Sequence, residues 1–392
     1  MIIFKPLKKE IMTIRAAFFA IALSVSVPAF SQPNPPPSTL IGSQKAITTA
    51  VPFLSITPDA RHAALGDGGV ATSPDANAAF WNAGKLVFIG SEKKYGGSFS
   101  YTPWLGKIVN DMWISSLSGF YQITREQAVA FSFKYFDLGE ISFRNENNVP
   151  LGDFNPKEAS FDATYSRMLS ENLGVGITGR YIFSNLTGAF NGADAQAGNS
   201  VATDIGVFFT KPLQSAKNST LSLGAQISNI GAKLSYTDNN NKDFLPTSLR
   251  LGGAFTTEVD PFNSFTFILD FNKLMVPTID DGQSLLSGMF GSFSDAPGGG
   301  SEELSEIMTS AGVEYWYNKT FAARLGYFLE SEDKGNRKYM TAGVGFRRER
   351  LGIDVVYIVP TNQREHPLAE TLRFTVLMQV DNLRESESVT DQ

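Results

Sequence analysis

Apolar and polar residues alternate strictly in many segments of this chain, from about residue 94 to residue 380. In the last segment, Leu372, Phe374 and Val376 alternate with Arg373 and Thr375. Because successive side chains of a β-strand point to opposite faces, each segment has one apolar and one polar face. We count about 14 such segments, near residues 94–104, 112–122, 126–137, 159–169, 172–184, 201–211, 219–230, 246–258, 262–273, 309–317, 319–330, 336–348, 351–359 and 370–380.

The lengths of these segments and of the joints between them indicate a membrane barrel. A strand that crosses a bilayer at a tilt needs about 9–11 residues, whereas strands of globular proteins average about 5–6. Tight joints such as 170–171 mostly alternate with long ones such as 138–158 and 274–308, a pattern typical of outer-membrane barrels. A soluble β-sandwich or two stacked β domains would show no such regularity. We therefore predict an all-β fold, a transmembrane β-barrel of about 14 antiparallel strands over residues 91–380, in the outer membrane.

The N-terminal residues 1–31 have the three parts of a secretory signal peptide. Basic residues precede the apolar stretch Ala16 to Val27, and small residues at 29 and 31 provide a cleavage site before Gln32. A short buried helix is the alternative for this stretch. Residues 32–54, which include a proline-rich run, are predicted to be a linker. The charged residues 381–392 are predicted to be a periplasmic tail.

Residues 55–90 differ in character from the strands and are predicted to form a plug in the barrel lumen. Ser73 is a suitable N-cap with Pro74 in the first turn, so we expect a short helix from there to about Trp81. Asp59, Arg61 and Asp67 are expected to anchor the plug to lumen residues such as Arg180 and Arg324. The candidate plug residues are Asp59, Arg61, Asp67, Asn77, Trp81 and Asn82.

The polar faces of the strands carry basic residues that would point into the lumen. They can form a satisfied polar interior or line a conduit for a polar or amphipathic solute, and the first interpretation is favoured because a barrel this narrow is filled by its plug and side chains. These residues are Lys134, Arg180, Arg250, Arg324 and Arg373.

The composition argues against several classes of function. With no cysteine and only two histidines, His62 and His366, a zinc site is not expected, and we predict no metal, cofactor or catalytic residue. A net charge of -6 argues against nucleic-acid binding. The residue order leaves a Ser-His-Asp arrangement open, but no Gly-x-Ser-x-Gly elbow supports one.

Three runs of sequence resemble the PorV family of the type IX secretion system, which is related to FadL-type barrels. They are SITPDARHAALGDGGVATSPDANAAFWNAGK (55–85), GMFGSFSDAPGGGSEELSEI (288–307) and HPLAETLRF (366–374). The first run is also similar to the paralogue PorQ. The chain departs from the family at Ala83-Gly84, where relatives carry Pro-Ala, and at His366, where they carry Asn.

The resemblance implies a role without catalysis in protein secretion. Its members associate with a SprA-like translocon, receive cargo through C-terminal signal domains and deliver it to a surface attachment complex with a PorU-like sortase. Outer-membrane lipid is a further expected partner. The alternatives are a FadL-type transporter of hydrophobic molecules, with an apolar pocket beside the plug, and an outer-membrane lipid deacylase, with Ser, His and an acid near the rim.

The longest loop, 274–308, is the candidate partner-binding segment because it is unusually apolar for a loop. It either folds against its own barrel or is offered to a partner. Glu302, Glu303 and Glu306 are expected to form only a solvated helix face. The candidate partner-binding residues are Leu285, Met289, Phe290, Phe293, Asp295 and Pro297.

Overall fold

The computed structural model describes most of the chain beyond its N-terminal segment. The described residues are 46–90, 94–105, 111–144, 147–186, 196–213, 218–237, 242–279, 282–361 and 371–380. The expected signal peptide, most of the expected linker, His366 and the expected periplasmic tail lie outside these residues.

Fourteen antiparallel strands form a closed barrel, in which the first strand pairs with the last. A further two-stranded hairpin, β4–β5, stands apart from it. The strands are β1 (Tyr95–Pro103), β2 (Trp113–Thr124), β3 (Gln127–Asp137), β4 (Ile141–Arg144), β5 (Pro150–Phe154), β6 (Lys157–Ser170), β7 (Leu173–Asn185), β8 (Gly198–Leu213), β9 (Ser219–Gly231), β10 (Ser248–Glu258), β11 (Asn263–Leu274), β12 (Met308–Tyr317), β13 (Phe321–Leu329), β14 (Lys338–Arg348), β15 (Leu351–Pro360) and β16 (Leu372–Val380).

The predicted barrel is confirmed strand by strand. Each of the 14 alternating segments coincides with one barrel strand, and the largest difference at any end is three residues, at the start of β8, which is 198 instead of 201. The hairpin β4–β5 was missed, because it lies inside the predicted loop 138–158 and its strands are too short to show a period. The joint between β12 and β13 is a tight turn in which Asn318 and Lys319 both have positive φ, 50° and 52°, as a type I′ turn requires.

The apolar faces of the strands point outward, as predicted for a wall in contact with lipid. Phe131, Val201 and Leu325 are exposed on the outer surface, whereas Arg324 and Arg373 on the inner faces are buried. The hydrophobic core therefore lies where the N-terminal segment packs inside the wall, not between two sheets. Of the described residues, none belongs to a helix with the length and apolar character needed to span a membrane.

The helices of the structure are all short. The N-terminal segment contains α1 (Ala60–Ala63) and α2 (Ala78–Trp81), with 3-10 helices at Pro52–Ser55 and Ala83–Phe88. The long loop, defined here as residues 275–307, contains α3 (Leu285–Gly291) and α4 (Gly300–Ser305), and a 3-10 helix covers Glu332–Lys334.

The expected helix from Ser73 to Trp81 is only partly correct. The helix begins at Ala78, because the groups of Ser73 that would cap an earlier start bind another residue. The Ser73 hydroxyl and carbonyl oxygens accept hydrogen bonds from Arg61, at 2.7 and 3.0 Å. Asp75 instead accepts a hydrogen bond from the backbone N–H of Asn77 at 2.8 Å.

The boundary between linker and plug also lies earlier in the chain than the expected residue 55. Val51, Phe53 and Leu54 are buried in an apolar cluster with barrel residues that include Ile114 and Ile182. The packed segment therefore includes residues 50–54, which composition alone had assigned to the linker.

Candidate functional site

Arg61 in α1 joins the plug to the barrel wall. Its guanidinium donates two hydrogen bonds to Glu314 of β12, with Nε–Oε2 at 2.9 Å and Nη2–Oε1 at 2.8 Å, and a third to Asp75 at 3.0 Å. Glu314 also accepts from Arg324 of β13 at 2.7 Å. All of these side chains are buried. This bidentate pair is the main ionic contact between plug and wall, and sequence reasoning missed Glu314 as the partner.

The expected pairing of Asp59 and Asp67 with Arg180 and Arg324 is wrong. Asp59 stays within the plug, and Asp67 accepts a hydrogen bond from the hydroxyl of Tyr339. Arg180 instead binds Asp162 at 2.7 Å and Asp204 at 3.0 Å, both on neighbouring strands. Arg324 binds Glu314 and Asp354. These two arginines thus pair with carboxylates of neighbouring strands, as cross-strand pairs on one face of a sheet can.

Asp59, His62 and Thr72 have the connectivity of a hydrolytic triad. Asp59 Oδ1 lies 2.7 Å from His62 Nδ1, and His62 Nε2 lies 2.9 Å from Thr72 Oγ1. Asp59 also accepts from Trp81 Nε1 at 2.8 Å. However, these side chains are at most 1% exposed, so no substrate can reach Thr72. These hydrogen bonds stabilise the plug internally, and they do not form a hydrolase site at the rim.

A pH effect on stability is expected from Asp59, which belongs to the plug and not to a spanning strand. Burial works to raise its pKa, but the charge of the His62 ring and hydrogen bonds from His62 and Trp81 together hold the pKa below its usual range. Because the lowered pKa means that the unfolded state binds a proton more readily than the folded state, this stabilisation is fully present above about pH 5 and is lost as the pH falls toward the pKa of the folded state. Asp59→Asn should lower the melting temperature of the folded barrel at neutral pH and flatten its decline between about pH 5 and 3.

The pH dependence of the melting temperature includes contributions from residues other than Asp59, so the test must compare two variants. Because other carboxylates also contribute to the pH dependence of stability, the quantity to measure is the difference between wild-type and Asp59→Asn melting temperatures at each pH. An unchanged difference from about pH 7 to 3 would contradict the assignment of this effect to Asp59.

The remaining candidate plug residues also contact the wall or the plug itself. Asn77 accepts a hydrogen bond from Ser98 of β1 at 2.5 Å. Asn82 donates to the carbonyl of Val207 of β8 at 2.9 Å, and Trp81 packs on His62 with ring centroids 4.7 Å apart. Each of these side chains therefore positions the plug, and none lies at a surface open to a ligand.

The turn at Ala83-Gly84 lies in close contact with the barrel wall. The backbone N–H of Ala83 donates to Gln226 Oε1 of β9 at 2.9 Å, a bond that a proline at this position could not make. A Cβ at Gly84 would lie 2.8 Å from the carbonyl oxygen of Gly174 and 2.9 Å from that of Gly206. This turn thus rests directly on the backbone of the wall.

Glycines form the inner face of the wall where it meets the plug. At each of these positions a Cβ would come within 3 Å of a plug atom, so the absence of side chains lets two backbones approach. We call this set the glycine-lined wall. Its members are Gly174 and Gly176 of β7, Gly206 of β8, Gly224 of β9, Gly252 of β10, Gly312 of β12, Gly326 of β13 and Gly343 of β14.

The basic residues predicted to face the lumen do so. Lys134 donates to the carbonyl of Ile56 at 2.8 Å and lies 4.3 Å from the Phe80 ring centroid. Arg250 lies 5.0 Å from the same ring, and Arg373 donates to the carbonyl of Thr57 at 3.0 Å. With the paired Arg180 and Arg324, these contacts support a packed polar interior over an open conduit.

Acidic residues of the long loop fasten it to the barrel rim, which corrects the expected solvated helix face. Glu302 and Glu306 are buried. Lys334, in the turn between β13 and β14, binds Glu302 at 2.8 Å and Glu306 at 2.9 Å, and Lys273 of β11 binds Glu303 at 3.2 Å as well as Glu306. The loop is therefore folded against its own barrel, which was one of the two alternatives. It also exposes apolar side chains, as the other alternative requires.

The candidate partner-binding residues fall into two groups. Met289 is buried and Asp295 accepts from the backbone N–H of Thr278 at 2.9 Å, so both support the loop from within. Phe290, at 68% exposure, and Phe293 face outward together with Leu286, which the candidate set omitted. Leu285 is half-buried and Pro297 is exposed. Leu286, Phe290 and Phe293, in and just after α3, are thus exposed apolar side chains of the loop, and we call them the apolar patch.

Removing the buried lysine should release the long loop. Lys334 has a side chain only 4% exposed, so Lys334→Met leaves two buried carboxylates without it, at a cost of about 3–5 kcal/mol to local order. We expect limited proteolysis within residues 282–305 to become at least about tenfold faster while the barrel stays folded. The matched control is Lys338→Met, because its partner Glu332 is 71% exposed, and such pairs contribute about 0–1 kcal/mol. Equal proteolysis of both variants would contradict the anchoring role.

Among the described residues, no three His, Cys, Asp or Glu side chains are grouped to hold a metal ion. The chain as a whole has no cysteine.

A comparison with solved structures matches two toluene transporters and a FadL homologue. The toluene transporter TbuX of Ralstonia pickettii is 12% identical with a TM-score of 0.46, covering 83% of this chain and 97% of its own. The toluene transporter TodX of Pseudomonas putida is 12% identical with a TM-score of 0.45, covering 81% and 95%. A FadL homologue of Pseudomonas aeruginosa is 11% identical with a TM-score of 0.43, covering 83% and 98%. No curated protein matches the sequence.

The family model described as type IX secretion system protein PorV matches residues 41–281. The matched range contains the plug, its wall contacts up to β11 and the start of the long loop. The chain therefore belongs to the PorV family of outer-membrane components of the type IX secretion system.

Proposed function

We propose that this protein binds a SprA-like translocon, receives cargo through its C-terminal signal domain and delivers it to the PorU-like attachment complex, without catalysing a reaction. The observation that carries the proposal is the long loop, which is pinned by Lys273 and Lys334 yet displays Leu286, Phe290 and Phe293 to solvent. An apolar patch on a rigid support is the usual form of a protein-binding surface.

The plug supports a role at the surface of the barrel. The glycine-lined wall and the Arg61–Glu314 pair hold plug and wall at contact distance. The residues that resemble a hydrolytic triad are enclosed in the plug. Binding through loops is therefore favoured over lumen transport or lipid deacylation.

The test is affinity purification of the full chain from solubilised outer membranes. We expect the triple variant Leu286→Ser, Phe290→Ser, Phe293→Ser to recover at least about tenfold less translocon and cargo than wild type, because such aromatic anchors dominate interface energies. Exported cargo should accumulate in the periplasm. The deletion of residues 274–308 should have the same effect.

A control removes equally exposed apolar side chains at the opposite end of the barrel. Val259 and Phe262 lie in the tight turn between β10 and β11 and are 67% and 57% exposed. Changing both to serine should leave translocon recovery unchanged. Full recovery of translocon and cargo by the triple variant would refute the proposed binding surface.

A further inference from the structure

An open groove of about 720 Å³ lies on the outside of the barrel rim. It runs between α4 of the long loop, the neighbouring ends of β11 to β13, and the turn that leads into β14. We call it the rim groove and define it by Phe271, Leu304, Ile307, Leu329, Glu332 and Asp333. It is separate from the patch of Leu286, Phe290 and Phe293, none of which lines it.

The floor of the rim groove is apolar and accessible. Leu304 is 70% exposed although it lies in a folded helix, and Phe271 and Leu329 are exposed beside it. Most of the Leu304 side chain is therefore not buried by the protein's own fold. An apolar side chain entering the groove would bury all three.

One edge of the rim groove is acidic. Glu332 and Asp333 are both exposed at this edge, and among the described residues of the lining Lys338 is the only basic one. The exposed Lys338–Glu332 ion pair contributes little to stability, and the described lining carries two carboxylates against one lysine. Lipid phosphates would be repelled at this edge, whereas a lysine or arginine would be attracted.

The groove is preformed by the ion pairs behind it. Lys334 belongs to the same turn as Glu332 and Asp333, and it binds Glu302 and Glu306 on either side of Leu304. The two walls of the groove are thus fastened to each other, so a partner would not have to order them.

We propose that the rim groove is a second docking site, for a protein segment that presents an apolar side chain next to a lysine or arginine. This inference rests on the proposed function, because the segment that docks would belong to one of the secretion partners named there. The apolar side chain enters between Leu304, Leu329 and Phe271, and the basic side chain lies at Glu332 and Asp333.

The test places the photo-crosslinking residue p-benzoylphenylalanine at Leu304 in the full chain, in cells that carry the secretion system. We expect an adduct with a protein segment that contains a lysine or arginine within a few residues of the cross-link. Glu332→Lys with Asp333→Lys should lower the adduct yield by about fivefold. Changing the partner's basic residue to glutamate should restore it.

Two controls separate charge recognition from a structural effect. Lys338→Met disturbs the same turn but removes the competing positive charge, so it should keep or raise the adduct yield. The same probe at Leu325, which is 62% exposed on the wall of β13, should give only lipid adducts.

The outcomes distinguish this inference from the proposed function. An adduct with lipid alone, no adduct, or a protein adduct that is insensitive to the charge reversal would overturn the rim groove as a docking site. If wild type still co-purifies with translocon in that case, the proposed function stands. If wild type recovers no translocon, the proposed function fails as well.

Discussion

Replacing Gly176 with valine should abolish the folded barrel. A Cβ at Gly176 would overlap the carbonyl group of Ala83, and because both partners are backbone, neither can rotate away. Overpacking of this kind costs about 1–3 kcal/mol for a flexible core and more for a rigid one. We expect the variant to lose the heat-resistant compact band that folded barrels show in detergent gels, and to be degraded in the cell.

The same strand provides the control. Gly179 lies three residues further along β7 with nothing within 4 Å of its would-be Cβ. Valine is favoured over glycine in strands, so Gly179→Val should fold as well as wild type or better. If neither variant folds, the loss of folding comes from adding a side chain to β7 and not from the contact with the plug. Normal folding of Gly176→Val would refute the close contact between plug and wall.

Arg61→Met should be the most damaging single change in the plug itself. It leaves the buried carboxylate of Asp75 without its ion pair and Glu314 with Arg324 alone. Removing one partner of a buried, hydrogen-bonded ion pair costs about 3–5 kcal/mol. The unfolding free energy in urea, measured in detergent micelles or vesicles, should fall by that amount.

A double-mutant cycle identifies the partner. If Arg61 acts through Glu314, the combination of Arg61→Met and Glu314→Gln should cost clearly less than the sum of the single changes, by about 1–3 kcal/mol. Strict additivity would show that Arg61 stabilises the plug through its bonds to Ser73 and Asp75 instead. Neither result depends on whether the secretion partners are present.

The barrel was predictable because its signal is repeated and local. Each strand can be recognised from the alternation of its own residues. The alternation of short and long joints then indicates that the strands form one barrel. Side-chain direction followed as well, so that Lys134, Arg180 and Arg324 were placed correctly in the lumen. The hairpin β4–β5 gave no usable period in its four and five residues.

The contacts of the plug were less predictable because they join residues far apart in the chain. Arg61 and Glu314 are separated by 253 positions, and only the stacking of strands brings them together. A signal for Glu314 was nevertheless present, since the alternation of β12 turns this carboxylate inward. Glu302 and Glu306 seemed to belong to a solvated helix because their lysines come from two other segments.

Residues at the start of the plug are hydrogen-bonded to the last strand of the barrel. The N–H of Ala60 donates to Thr375 Oγ1 at 2.8 Å across 315 positions, and the carbonyl of Thr57 accepts from Arg373. During synthesis α1 is therefore made long before β16, its hydrogen-bonding partner. The contacts of Thr57 and Ala60 with the wall therefore form only when the last strand is in place, so the plug and the closed ring are completed together.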